Sequence, residues 1–503
     1  MLAGLAKTPE LRYNFPHSNR PIRSSTVREY EPVIGLEIHA EMDTRSKIFC
    51  NCPTTFGAEP NTQTCPVCLG LPGVLPVLNE EVLNRGLKAC LALNCQIHRH
   101  SIFERKNYYY PDLPKNYQIS QKALPLGYNG FVDFEVKGVP CRCGIWDVHL
   151  EEDAGKLTHP DYDPSCSLVD LNRAGVPLLE IVCAPDLRSV EELQRFMEVM
   201  RDILIYTGVS DCRMERGHLR FEAGVSVRPK GVEELGQRKA EIKNLNSFAA
   251  VRRSVEFEIR RQIELLEKGE PIPSTTRLWD EARGVTVAMR SKEEAHDYRY
   301  FPEPDLVPLH IEEERLARLR AALPELPEPR RRRFIGDYGL PAYDAEVLTA
   351  SREMADYFEE CVRLGGDPKK VSNWLMGDFS RLLNAHQIAI QESKVAPQHL
   401  VDLLRQVDEG AITGRVAKEV FEKMFATGQP PQQIIAAEGL RTSVEGLEAV
   451  VDQVLTAHQD AVANYRKGKT NALRFLIGQV MKATRGQAPP AEVEALLKTR
   501  LEG

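Results

Sequence analysis

The chain has 503 residues, more than one hydrophobic core organises, so about three domains are expected. Apolar residues make up 42% and charged residues 27%, a balance that excludes global disorder, and no apolar run approaches the ~20 residues that span a bilayer. The net charge of −7 excludes nucleic-acid binding through bulk positive charge and leaves that task to local basic patches.

Residues 1–30 lack the apolar core of a signal peptide, and they carry Glu10 and Glu29, which a transit peptide avoids; they read as a flexible leader on a cytoplasmic protein. From residue 31 to about 308, short β-rich runs alternate with Gly and Pro breaks and a few helices. The expected class is α+β: an open, largely antiparallel sheet with flanking helices, followed by all-α units at 309–396 and 397–503. The first apolar run, Pro32 to Ile38, carries Glu37 and, just past its end, His39, two apart on one strand face. Next comes Cys50-Asn51-Cys52, then Cys65-Pro66-Val67-Cys68. Two pairs at this spacing can set four thiolates around a structural Zn²⁺, and the competing readings are free thiols or a redox pair. Cys141-Arg142-Cys143 has no second pair behind it and reads as coincidence.

His149 to Lys156, read as a strand, points His149, Glu151 and Asp153 one way and Glu152 the other. Carboxylates this dense repel one another unless a cation neutralises them, and hard oxygen donors suit Mg²⁺. A third run, Pro177 to Val182, holds the lone acid Glu180. Three such strands suggest a cleft for a divalent cation and a phosphorylated nucleotide; the alternative is a set of satisfied structural acids. Residues 130–138 and 219–227 read as further strands. Over 190–206, Leu193, Phe196, Met197, Met200, Ile203 and Leu204 recur at helical spacing as a packing stripe. Neither a dinucleotide fingerprint nor a phosphate loop is present, so a nucleotide must be held mainly by metal and side chains.

Pro302-Glu303-Pro304 closes the mixed body. Helices are expected at 312–322, 343–364 and 368–384. The run Arg330 to Arg333 reads either as a solvated helix start or as a phosphate contact. Pro397 is expected to open the tail unit. Between Ala461 and Ala491 stand Arg466, Lys467, Lys469, Arg474, Lys482 and Arg485, with no acid among them. On a helix over 470–484, Leu473, Leu476, Ile477 and Val480 form the buried face, while Arg474, Lys482 and Arg485 gather opposite. That arrangement suits phosphates, and a solvated face is the alternative.

Taken together, Val33 to His39, the four cysteines, Phe103 to Tyr108, Tyr110 to Lys115, Gln118 to Gln121, His149 to Lys156, Pro177 to Val182, Glu241 to Ser247, Asp297 to Asp305 and Gly478 to Lys482 resemble the B-subunit family of bacterial aspartyl/glutamyl-tRNA amidotransferases. The resemblance implies a heterotrimer with an amidase (glutaminase) subunit and a small third subunit. It implies ATP- and Mg²⁺-dependent activation of the side-chain carboxylate of misacylated Asp-tRNA(Asn) or Glu-tRNA(Gln), followed by amidation with ammonia from the partner. Bound tRNA is expected, no membrane, and the mischarging aminoacyl-tRNA synthetase is a further candidate partner. By the same resemblance Glu37, His39, Glu151, Glu152 and Glu180 hold or surround Mg²⁺ and nucleotide, and Lys106 stands where an ammonia passage meets the active site. One segment departs: where the family reads Arg-Cys-Asp-x-Asn-Val-Ser, this chain has Arg220-Phe221-Glu222-Ala223-Gly224-Val225-Ser226. The absence of a nucleophile elbow or Cys-His pair agrees with ammonia made elsewhere. Two other readings compete: a carboxylate–amine ligase for a small free acid, and a non-catalytic tRNA-binding scaffold.

Overall fold

Along Tyr30–Glu41 every second residue is apolar, with Ile34, Leu36, Ile38 and Ala40 buried and Gly35, Glu37, His39 and Glu41 between them. The backbone is therefore extended, with one oily face and one polar face. The computed structural model describes residues 29–502 except 161, 164, 233–238, 290–297, 441–445, 470 and 485. The expected leader, except residues 29 and 30, lies outside the described residues, as does Arg485.

Among the described residues nine strands share one sheet. In chain order they are β1 (Tyr30–Glu41), β2 (Gln96–Ile97), β3 (Gly127–Val136), β4 (Val139–Glu152), β5 (Pro177–Cys183), β6 (Leu219–Pro229), β7 (Ala240–Leu245), β8 (Thr275–Asp280) and β9 (Val285–Ala288). Their order across the sheet is β9-β8-β7-β6-β1-β5-β4-β3-β2. Every pairing is antiparallel except β7 with β8, so the open, largely antiparallel α+β body expected from the sequence is present.

The oily face is closed by α1 (Glu80–Ala92), α2 (Val190–Tyr206) and α3 (Phe248–Glu267). All six residues of the α2 stripe are buried there, and Phe196 meets Phe134 of β3 at 5.6 Å between ring centroids. Ser189 caps α2, its hydroxyl accepting from the Glu192 amide at 3.1 Å. Removing that hydroxyl in Ser189→Ala should cost about 1 kcal/mol, read as roughly fivefold faster amide exchange in the first turn of α2.

A small sheet pairs Glu104–Asn107 with Tyr117–Ser120 on one side and Phe301–Pro302 on the other. Arg105 grips Glu303 with two bonds of 2.7 and 2.8 Å, so the Pro-Glu-Pro segment returns to the body and anchors the strand that carries Lys106. Past residue 308 the chain still contributes to the first core through Ile311 and Leu316.

A second core runs from Phe334 to Ile435 and a third from Leu447 to Leu501. The break expected at Pro397 falls inside the second core: Pro397 is the first residue of helix Pro397–Asp408, whose Leu400, Leu403 and Leu404 pack there. Proline suits a helix's first turn wherever one begins, so it marks a helix start and not a change of core. The arginine run is ion-paired: Arg330 is buried against Asp356 and Glu359, Arg331 meets Glu328, and Arg333 meets Glu325 and Glu359. Only Arg332 of the four is exposed.

Candidate active site and metal-binding clusters

Register builds the site. His39 of β1 faces Glu180 of β5, and Glu180 faces His149 of β4, so three strands deliver one row on the polar face. β6 extends the row, with Arg220 opposite His39 and Glu222 opposite Glu37. The next row sets Leu178 between Glu41 and Glu151.

Within the cluster, His149 Nε2 lies 3.0 Å from a Glu180 oxygen and its Nδ1 lies 2.8 Å from Asp147. His39 Nε2 stands among three carboxylates, at 3.4 Å from Glu180, 3.5 Å from Glu37 and 3.9 Å from Glu151. Glu151, with a side chain only 2% exposed, accepts from Ser120 Oγ at 3.3 Å and has Lys106 Nζ at 4.0 Å. Lys106 also lies 5.4 Å from the centre of the Tyr298 ring. Glu104 is not its partner: that carboxylate accepts from the Lys122 and Ala123 amides.

The electrostatics follow from burial and crowding. Burial, followed by repulsion from Glu180, lifts Glu37 to about 7 and also raises Glu151. Burial opposes a charged His149, but Glu180 and Asp147 outweigh it and carry the ring to about 10. His39 is raised by the same balance, with Glu180 the chief neighbour. Burial also opposes the charge of Glu180, yet the two imidazoles hold its carboxyl well below the usual range. In this arrangement imidazolium offsets carboxylate, a task that a divalent cation can take over.

Glu37, His39 and Glu180 form one group whose ligand atoms lie within 4.8 Å of each other, and His149, Glu151 and Glu180 form a second. Each group offers two carboxylates and one histidine, with Glu180 common to both, and the hard carboxylate oxygens suit Mg²⁺. His149, with both nitrogens already engaged, is better placed to hold Glu180 than to ligate.

Glu37, His39, Lys106, Glu151 and Glu180 are thus brought together. Glu152 is not. As strand alternation requires, it turns to the opposite face, where its carboxylate pairs with Lys115 and accepts from the Ile119 amide at 2.9 Å. It braces Tyr117–Ser120 instead of joining the acids. Asp153 also leaves the row, because the strand ends at Glu152; it pairs with Arg220 at 2.7 Å and lies 3.7 Å from Arg173.

Sequence reasoning missed Asp147, Arg220, Lys243 and Glu41 on this face. Lys243 pairs with Glu222 at 2.7 Å. Burial, then the neighbouring Asp153, lifts Glu41 to about 8. The available signal was alternation: Arg220 and Glu222 stand between the buried Leu219, Phe221 and Ala223. The departing segment lies here too, and Glu222 and Gly224 line a groove of ≈ 370 Å³ together with Glu37, Trp146 and Lys239.

The four cysteines converge, with Cys50, Cys52, Cys65 and Cys68 placing their sulfurs within 4.8 Å of one another. A tetrahedral metal with ~2.3 Å bonds needs sulfurs roughly 3.8 Å apart. Cys65 and Cys68 stand at 3.9 Å, and the Cys65 amide donates to the Cys68 sulfur at 3.1 Å. The set fits a structural tetrathiolate ion.

In the tail, helix Asn471–Ala483 buries Leu476 and Val480, partly covers Leu473 and Ile477, and exposes Arg474 and Lys482. Phe475 is exposed beside them, edge-on to His458 at 5.3 Å; hydropathy alone assigned no aromatic to that face.

Residues 32–317 match the family described as GatB/GatE catalytic domain, and residues 356–501 match the GatB domain. The B subunit of the aspartyl/glutamyl-tRNA(Asn/Gln) amidotransferase of Carboxydothermus hydrogenoformans is 55% identical over 94% of this chain and 99% of its own length. The protein of the same name from Moorella thermoacetica is 56% identical over 94% of the chain and 100% of its own length. That of Geotalea daltonii is 52% identical, again over 94% and 100%.

Proposed function

Since the chain belongs to the GatB/GatE family of tRNA-dependent amidotransferase B subunits, we propose that it converts the side-chain carboxylate of misacylated Asp-tRNA(Asn), Glu-tRNA(Gln) or both to the amide, using ATP, Mg²⁺ and ammonia from a glutaminase subunit. The observation that carries this reading is the His39–Glu180–His149 row, with Glu37 and Glu151 beside it on one sheet face.

A carboxylate oxygen leaves poorly and a phosphate leaves well, so the acid must first become an acyl phosphate. Glu37, Glu151 and Glu180, with His39, would hold Mg²⁺, which when bound offsets charge on the transferring phosphoryl group. His149, tethered by Asp147, fixes the orientation of Glu180. Lys106 presents a cation beside Glu151, where it can draw in the substrate's anionic group and border the route by which ammonia arrives. The groove beside Glu37 and Glu222 offers room for part of the nucleotide.

The name of the relatives makes this one subunit of an assembly that acts on tRNA. In our reading the others are the amidase and a small third subunit, met in the cytosol, a setting that suits twelve free cysteines. The deciding experiment combines the chain with both partners, ATP, Mg²⁺ and each misacylated tRNA, and measures amide formation. Activity that needs Mg²⁺ and this chain is expected; amidation without either would overturn the assignment, and amidation of a free acid in place of the tRNA would favour the small-acid ligase.

The four-cysteine cluster is assigned a structural Zn²⁺. Purified protein should contain one zinc per chain, and chelation should loosen residues 50–68 before it slows chemistry. Well under one zinc with all four thiols freely titratable, in protein never exposed to chelator, would refute this.

A further inference from the structure

Lys47 is the most unusual cation outside the cluster. Its side chain is completely buried, at 0% exposure, a state lysine almost never adopts without a partner. Its Nζ donates to the Cys68 sulfur at 3.6 Å and approaches the Leu171 carbonyl at 3.4 Å. Neither partner is a carboxylate, and the acid in the same pocket, Glu152, is already paired with Lys115, so the anionic group that this ammonium touches is sulfur. The lysine is also tied to the other cysteine pair, because its backbone amide donates to the Cys52 carbonyl at 3.0 Å.

Four thiolates around a divalent ion carry a net charge of about −2, which a sheltered site tolerates poorly without a counter-charge. We propose that Lys47 is the resident counter-ion of the four-cysteine metal centre. Its buried ammonium donates to the Cys68 sulfur, withdraws electron density from it, and so keeps the metal bound and the sulfurs unreactive toward electrophiles. The role is that of a positioning residue, acting through the ligands it touches. It rests on the structural-zinc reading above.

The same side chain links the centre to the active strand. The Leu171 amide is held by Asn61, from the loop between the cysteine pairs, at 2.8 Å. Two residues on, Arg173 donates to the Ala154 and Gly155 carbonyls at 3.0 and 2.8 Å, immediately beyond the end of β4. Lys47 therefore stands between the thiolates and the loop whose Arg173 holds the two residues that follow close after β4.

The test compares full-length wild type with Lys47→Met, which keeps length and removes charge, and with Lys47→Gln, which keeps a neutral donor. Zinc release during alkylation by N-ethylmaleimide is followed with a chromophoric chelator, and Co²⁺-substituted protein gives the thiolate-to-metal charge-transfer band. Lys47→Met should release zinc at least about tenfold faster, and its band should move to lower energy because the unmasked sulfur is a better donor; Lys47→Gln should fall between. Faster release with an unmoved band would mean that Lys47 only packs, and would overturn the proposal. So would metal-replete variants that match wild type in both readouts. Should Lys47→Met fail to fold, the Lys47→Gln band decides. Wild type without metal would instead overturn the zinc reading and the proposal with it, a result recognisable from metal content alone.

Discussion

Replacing Glu180 with glutamine should lower ATP-dependent amidation by about a hundredfold to a thousandfold while leaving the Kd for tRNA unchanged. Glu180 is the one carboxylate shared by both candidate ligand groups, and it lies between two histidines in a three-strand row. Glutamine preserves the shape and removes the charge. His149 then loses the anion that sustains it as imidazolium, and the cation loses a hard oxygen ligand. Glu151→Gln should act in the same direction, by at least ~2 kcal/mol, because Glu151 is buried and carries the contacts to Lys106 and Ser120. Single-turnover amide formation at saturating tRNA, beside a filter-binding measurement, separates chemistry from binding. Full activity in both variants at ordinary Mg²⁺ would sink the assignment, and loss of tRNA binding would move these acids from chemistry to structure.

The second large effect is expected at the other end of the chain. Substituting Arg474, Lys482 and Arg485 together should weaken tRNA binding and flatten its salt dependence by up to about 2 to 3 units in log K against log salt. Arg474 and Lys482 project from one exposed face of helix Asn471–Ala483. Cations of this kind release counterions from phosphates without reading bases, so they fix where the tRNA lies and not which tRNA it is. At saturating tRNA kcat should stay near wild type while KM rises, as expected for binding energy equal in ground and transition states. An unchanged slope and KM, with circular dichroism showing an intact fold, would make the patch a solvated surface.

Glu37, with His39 beside it, and Glu180 were legible because a charged residue inside an apolar run is conspicuous when the strand period is two, and Glu151 was legible because acids crowd around it. Which strands lie side by side is set by pairing between segments distant in the chain, Glu180 with His149 and, much farther off, with His39, so no local pattern announces that Glu180 sits between the two histidines. Arg220 and Glu222 were read only as part of a departing segment, with no role assigned, since charged residues on a half-buried strand look like ordinary solvent-facing positions until the opposite strand is known. At Glu152 the two lines of reasoning disagreed. The family resemblance set it among the metal-side acids, strand alternation set it on the other face, and alternation prevailed. The unit boundary at Pro397 was misplaced because the physics of a helix start is local, whereas membership of a core depends on distant leucines.

The row across β1, β5 and β4 also limits how such a protein can change over time. Deleting one residue within Pro177–Cys183 would swing Glu180 into the oily layer and present Leu179 or Ile181 to the histidines, two penalties from a single event. Length changes are therefore tolerable in connecting loops but not within these strands. New specificity in this scaffold has to come by exchanging side chains at fixed positions or by remodelling the loops around them, because the ruler itself cannot be lengthened or cut.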